Sequence, residues 1–168
     1  ARVTKRLLRS LTALLLFAQL PTLTAQPATT NHVLELDGTG GYVELPPNIF
    51  NDLDEATVEA WVRWDDFSMP TKRVFNYGDA LRDMALVSFR GSTRLSFVVA
   101  DPKGTMEDLH WINVEGILRP QQWVHVAGVS GKGGMKLYLD GALVGTNAYP
   151  GSFSAFKTGT RNYLGQRV

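Results

Sequence analysis

The stretch QQWVHVAGVSGKGGMKLYLDGALVG, residues 121–145, decides how this chain is read. Within GMKLYLDGALVG (134–145), Leu137 and Leu139 point one way, and Lys136 and Tyr138 the other. Side chains on a β-strand alternate with period 2, so this is a half-buried strand. Asp140-Gly141 follows and a second apolar run resumes at Ala142. Asp tolerates the left-handed backbone and Gly adopts it freely, which is the requirement of a two-residue type I′ hairpin turn. Asp140 is therefore expected to turn the chain rather than to do chemistry. The loop GKGG (131–134) joins this hairpin to the strand Trp123–Val129 before it. It lacks the Gly-x4-Gly-Lys-Ser/Thr spacing of a phosphate loop, as does GTGG (38–41), and neither opens a helix.

Working outward, the same alternation recurs. In ATVEAWVRW (56–64), Val58, Ala60, Val62 and Trp64 share one face, and Thr57, Glu59, Trp61 and Arg63 share the other. The apolar residues do not recur at i, i+3, i+4 and i+7, so the segment is not a helix. Further strands are predicted over 32–36, 41–45, 73–77, 85–89, 94–99, 110–114 and 142–146. The turns Asp37-Gly38, Arg90-Gly91-Ser92 and Asp101-Pro102-Lys103-Gly104 punctuate them. Many short strands with frequent turn signals predict an all-β sandwich or barrel. No repeat of 20–50 residues argues for a propeller or solenoid.

Three stretches in order, LELDGTGGYVELP (34–46), ATVEAWVRW (56–64) and the opening stretch, resemble the laminin-G-like jelly-roll domains of the concanavalin A-like lectin/glucanase superfamily. The most specific element is Trp123-Val124-His125-Val126-Ala127 followed by Leu137-Tyr138-Leu139-Asp140-Gly141. The resemblance runs from about His32 to the end and implies two antiparallel sheets packed face to face. Members usually close with a Tyr-Leu-Gly strand, a loop and a last strand. Tyr163-Leu164-Gly165 is present, and the chain stops at Val168. The expectation is a domain lacking its last strand, at the N-terminal end of a longer protein.

The first 25 residues differ from the rest. Arg2, Lys5, Arg6 and Arg9 precede an apolar run, Leu11–Leu20, then Pro21 and the small-residue segment Leu23-Thr24-Ala25, the layout of a secretory signal peptide. Ten apolar residues are too few for the roughly 20 that span a bilayer. Residues 26–31 read as a polar linker and 32–168 as the domain. Removing the four basic residues of the leader takes the 17 Lys and Arg to 13 against 16 Asp and Glu, net −3. No basic stripe remains for nucleic acid. The chain has no cysteine, so thiol chemistry and disulfides are excluded.

Candidate sites are few. Glycoside hydrolysis needs two flanking carboxylates, and Glu59 has only Thr57, Trp61 and Arg63 on its own strand face. Ser130 follows His125 without an acid to complete a triad, and His32 and His110 are isolated, so no nucleophilic or zinc site is predicted. Oxygen ligands in loops suit calcium, and the resemblance places a metal near Asp37 in the first turn. Asp79 and Asp83 in GDALRD are loop acids. Trp111, near Asp108 and His110, and Tyr77, beside Asp79, are aromatic platforms for a sugar. Trp61, Trp64 and Trp123 alternate with Val and Ala and are expected in the core. The ligand-binding set is thus Tyr77, Asp79, Asp83 and Trp111, with Asp37 for calcium. The reading is a non-catalytic recognition or adhesion module for glycans or proteins, secreted or at the cell surface. The alternative is an accessory domain of a glycoside hydrolase or signalling protein whose catalytic part lies beyond residue 168.

Overall fold

A computed structural model describes residues 31–165 except 39, 70, 80, 90, 102 and 156–158. The proposed leader and its cleavage site, and all but one residue of the linker, lie outside the described residues. The sandwich occupies the compact unit Leu34–Val168.

The strands in chain order are β1 (Val43–Leu45), β2 (Ala56–Arg63), β3 (Thr71–Asp79), β4 (Arg82–Phe89), β5 (Leu95–Ala100), β6 (Leu109–Val114), β7 (Trp123–Ser130), β8 (Met135–Leu139), β9 (Ala142–Asn147) and β10 (Asn162–Leu164). One sheet has the order β1-β10-β3-β4-β5-β6, the other β2-β7-β8-β9, and every pairing is antiparallel. This is the jelly-roll sandwich that the laminin-G-like resemblance implied. Apart from the strands, two single 3-10 turns occur among the described residues, Met106–Asp108 and Phe153–Ala155.

The core lies between the sheets. From the six-stranded sheet come Phe75, Tyr77, Met84, Leu86, Leu95, Phe97, Val99 and Ile112, all buried; Val124, Val126, Met135 and Leu137 face them from the other. Burial of about twenty such side chains drives the collapse that no disulfide assists. Gly128 is a fitting point. A Cβ there would sit 2.8 Å from the Phe97 ring, so the ring can lie flat on β7 only because the side chain is absent.

The 140–141 turn forms as expected. Asp140 has φ 49° and Gly141 φ 79°, the double left-handed conformation of a type I′ turn. Asp140 has a second task that strand periodicity does not reveal. Its carboxylate accepts from the His125 backbone N–H at 2.8 Å, and its own N–H donates to the His125 carbonyl at 2.8 Å, so the turn is tied to the end of β7.

One expected hairpin is not formed. Residues 32–36 are not a strand, and all five are exposed. β1 instead pairs with β10, Val43 opposite Leu164 and Leu45 opposite Asn162. The Tyr-Leu-Gly segment therefore sits inside the six-stranded sheet, between β1 and β3. Local turn chemistry lost here to a partner about 120 residues away: Leu45 of β1 and Leu164 of β10 pack against the core, whereas 32–36 stay exposed.

Candidate functional site

The four residues expected to bind a ligand are not brought together. Tyr77 is fully buried, its ring 4.9 Å from Phe153 and 5.5 Å from Phe50, and its hydroxyl donates to Asn51. Burial pushes this phenol up from its usual value. It is a core side chain with no ring face to offer a sugar. Asp79 ends β3, partly exposed, with Arg161 Nε 3.8 Å away.

Asp83 and Trp111 do share a surface, the outward face of the six-stranded sheet. Ala85, two residues from Asp83, pairs with Val98, which pairs with Trp111. Asp83 is buried in an ion pair, its Oδ2 2.6 Å from Arg73 Nη1, and Arg73 also donates to Asn76. Among the described residues the Arg73 Nε has no acceptor. Trp111 is half-buried against Phe89, centroids 5.7 Å apart, and Ala85, Ser96 and Val98 between the two are inaccessible. This face is closed rather than open. Its neighbours are likewise occupied. Asp108 is held below the usual carboxylate range by its hydrogen bond to the Thr105 hydroxyl, and His110 stacks flat on Tyr149 at 3.6 Å.

Asp37 supplies one carboxylate, to which the Gly41 N–H is 3.4 Å away. Among the described residues no three His, Cys, Asp or Glu converge on a point. No cluster of side-chain donors is therefore assembled around Asp37 for calcium among the described residues. An open depression of about 660 Å³ at the sandwich edge is lined by Asp54, Glu55, Lys132, Ser152 and Ser154, without an aromatic wall.

The open face is on the other sheet. Trp61 is 66% exposed and Trp123 44%, whereas Trp64 is 5%. Only the last of the three tryptophans joins the core as expected. The cause is parity: Trp61 lies on the side of β2 shared with Thr57, Glu59 and Arg63, and Trp123 on the matching side of β7. Register sets them on neighbouring rungs, Trp61 opposite His125 and Arg63 opposite Trp123. The Trp61 and His125 rings are 5.5 Å apart, and His125 Nε2 lies 3.5 Å from Glu59 Oε2. Arg63 holds its guanidinium 5.8 Å above the Trp123 ring, a cation–π arrangement, while reaching Asp65 at 3.5 Å. Tyr138 on β8 faces Leu143 on β9, which is 53% exposed. Large apolar side chains grouped on one face and rimmed by ionic groups mark a contact surface.

Two packed antiparallel sheets, one of them with an exposed aromatic outer face, define the domain. The chain belongs to the concanavalin A-like lectin/glucanase superfamily: a laminin-G family model matches residues 37–168. Solved structures share the fold at low identity. The CBM40 module of the Ruminococcus gnavus IT-sialidase, bound to α2,3-sialyllactose, aligns with TM-score 0.59 and 13% identity, over 76% of this chain and 78% of that one. Domains LG4-5 of the mouse laminin α1 chain align at 0.54 and 15%, over 83% and 39%. The binding domain of botulinum neurotoxin DC in complex with SialylT aligns at 0.55 and 14%, over 74% and 31%. No curated protein matches the chain.

Proposed function

We propose that this domain is a non-catalytic recognition module, working outside the cell, that binds a glycan through the outward face of β2, β7 and β8. The observation that carries the reading is the pair of solvent-exposed indoles, Trp61 and Trp123, held on paired strands beside Glu59, His125 and Arg63. A pyranose presents a C–H face that stacks on an indole and a rim of hydroxyls that hydrogen-bond to carboxylate, imidazole and guanidinium groups. The sheet fixes these side chains before the ligand arrives, which limits the ordering cost of binding. The glycan-bound states of two structural relatives support the ligand class. Glu59 faces His125 rather than a second carboxylate, which supports a binding role over hydrolysis. An accessory role within a larger protein is compatible with this reading, since the laminin and toxin chains extend well beyond the part matched.

The test is a glycan array probed with the wild-type chain and with Trp61→Ala and Trp123→Ala. Binding to a defined glycan class that both variants lose is the expected result. Retention of no glycan by the wild-type chain refutes the proposal.

A further inference from the structure

We infer that the ligand is an extended saccharide chain gripped along its length, crossing the four strands, rather than a terminal sugar held in a pocket; this rests on the glycan-binding reading above. The ring-bearing and apolar side chains of this face form an oblique stripe. It starts at Trp61 on β2, meets its rung partner His125 on β7 with Trp123 one rung along the same strand, steps one rung the other way to the half-buried Tyr138 on β8 and ends at Leu143 on β9. Each strand contributes at least one member, so the stripe runs across the strands. Adjacent strands lie about 4.8 Å apart, and three such spacings make a track of about 14 Å, which spans roughly three pyranose rings.

The margins fit the same ligand. On one side lies Arg63, on the other Glu59, Lys136 and Thr57, all from the same face of these strands. An apolar track between hydrogen-bonding margins of both charge signs complements a chain of sugars, whose ring faces are apolar and whose edges carry hydroxyls. A protein partner of ordinary affinity buries a larger and more continuous apolar centre. The rungs also explain why the ligand lies flat. Ala127, between Glu59 and Tyr138, is small, so no side chain stands up in the middle of the track to form a wall. A surface without walls has no means of selecting a chain end.

The experiment uses the whole chain and linear β-glucan, xylan, mannan and hyaluronan, each as the polymer and as its mono- to hexasaccharides, with binding measured by affinity gel and calorimetry. For the polysaccharide retained, affinity is expected to rise at least about tenfold from disaccharide to tetrasaccharide and then level off. Capping of the non-reducing end is expected to leave it unchanged. Trp61→Ala and Tyr138→Ala are each expected to lower tetrasaccharide affinity about tenfold or more. Leu143→Ala is expected to weaken the tetrasaccharide and leave the disaccharide unaffected. Full affinity for a monosaccharide or a capped-end loss overturns the extended-chain inference while leaving glycan binding intact. Binding to none of the four polymers, with capture on the array of a terminal sugar alone, overturns it too. Absence of all glycan binding, or Trp61-dependent dimerisation instead, overturns both readings.

Discussion

The buried pair Arg73–Asp83 offers the sharpest test of how the six-stranded sheet is held together. Both side chains are 9% exposed and the Oδ2–Nη1 distance is 2.6 Å. Removing one partner of such a pair strands the other charge away from water, a loss of about 3–5 kcal/mol. Asp83→Leu is expected near the lower end, about 3 kcal/mol, because Arg73 keeps Asn76 as an acceptor. For a domain of this size each kcal/mol moves the melting midpoint by about 3–5 °C, so the drop is about 9–15 °C. In Arg73→Met/Asp83→Leu no charge is left stranded, and the unsatisfied Arg73 Nε disappears as well. Replacing a buried pair by apolar groups of similar volume is often neutral or stabilising. The double variant is therefore expected within about 1 kcal/mol of wild type, measured by urea and thermal unfolding at neutral pH. A single-variant loss below about 1 kcal/mol, or a double variant no more stable than the single, refutes the reasoning. It would mean that solvent reaches Asp83, and the acid would again be a candidate ligand group.

Four other outcomes are expected. Leu137→Ala, at a fully buried position, costs about 2–5 kcal/mol, whereas Trp61→Ala stays within about 0.5 kcal/mol of wild type in the same unfolding assay. Asp140→Ala loses the acceptor for the His125 N–H and places a Cβ-bearing residue without a local hydrogen bond at φ 49°, for a cost of about 1–2 kcal/mol; Asp140→Gly loses only the first contribution. Tyr77 and Tyr149 are both raised by burial, Tyr149 also by Asp101 and Asp108. The stability they contribute is fully present below the ordinary phenol value of about 10 and is lost as pH rises through it towards their higher folded values; melts above about pH 9 should fall, and Tyr77→Phe should fall less steeply. Neither a chelator nor added calcium is expected to shift the melting midpoint, since no three His, Asp or Glu side chains converge among the described residues; a calcium-dependent rise would disprove that.

The fold was legible in the opening stretch because both of its signals are local. Alternation along 135–139 needs only the pleat, and the Asp140-Gly141 turn needs only two left-handed residues. What was not legible depends on partners distant in sequence. Residues 32–36 alternate as a strand should, yet β1 pairs with β10, and no local pattern carries that choice. Tyr77 beside Asp79 reads as an exposed platform until β10, Phe50 and Phe153 close over it.

The binding face is a different case, because its signal lay in the residues all along. The period-2 reading of 56–64 put Trp61 with Thr57, Glu59 and Arg63, a face too polar for the core. The expectation of a core position rests instead on the alternation of Trp61, Trp64 and Trp123 with Val and Ala. Parity is the stronger argument, since moving Trp61 inside means moving Glu59 and Arg63 with it, two charges with no partners in an apolar core. The same logic carries Trp123, bound by register to Arg63. A tryptophan that shares its strand face with charged neighbours is exposed for a geometric reason, and in an extended sheet that leaves it free to meet a ligand.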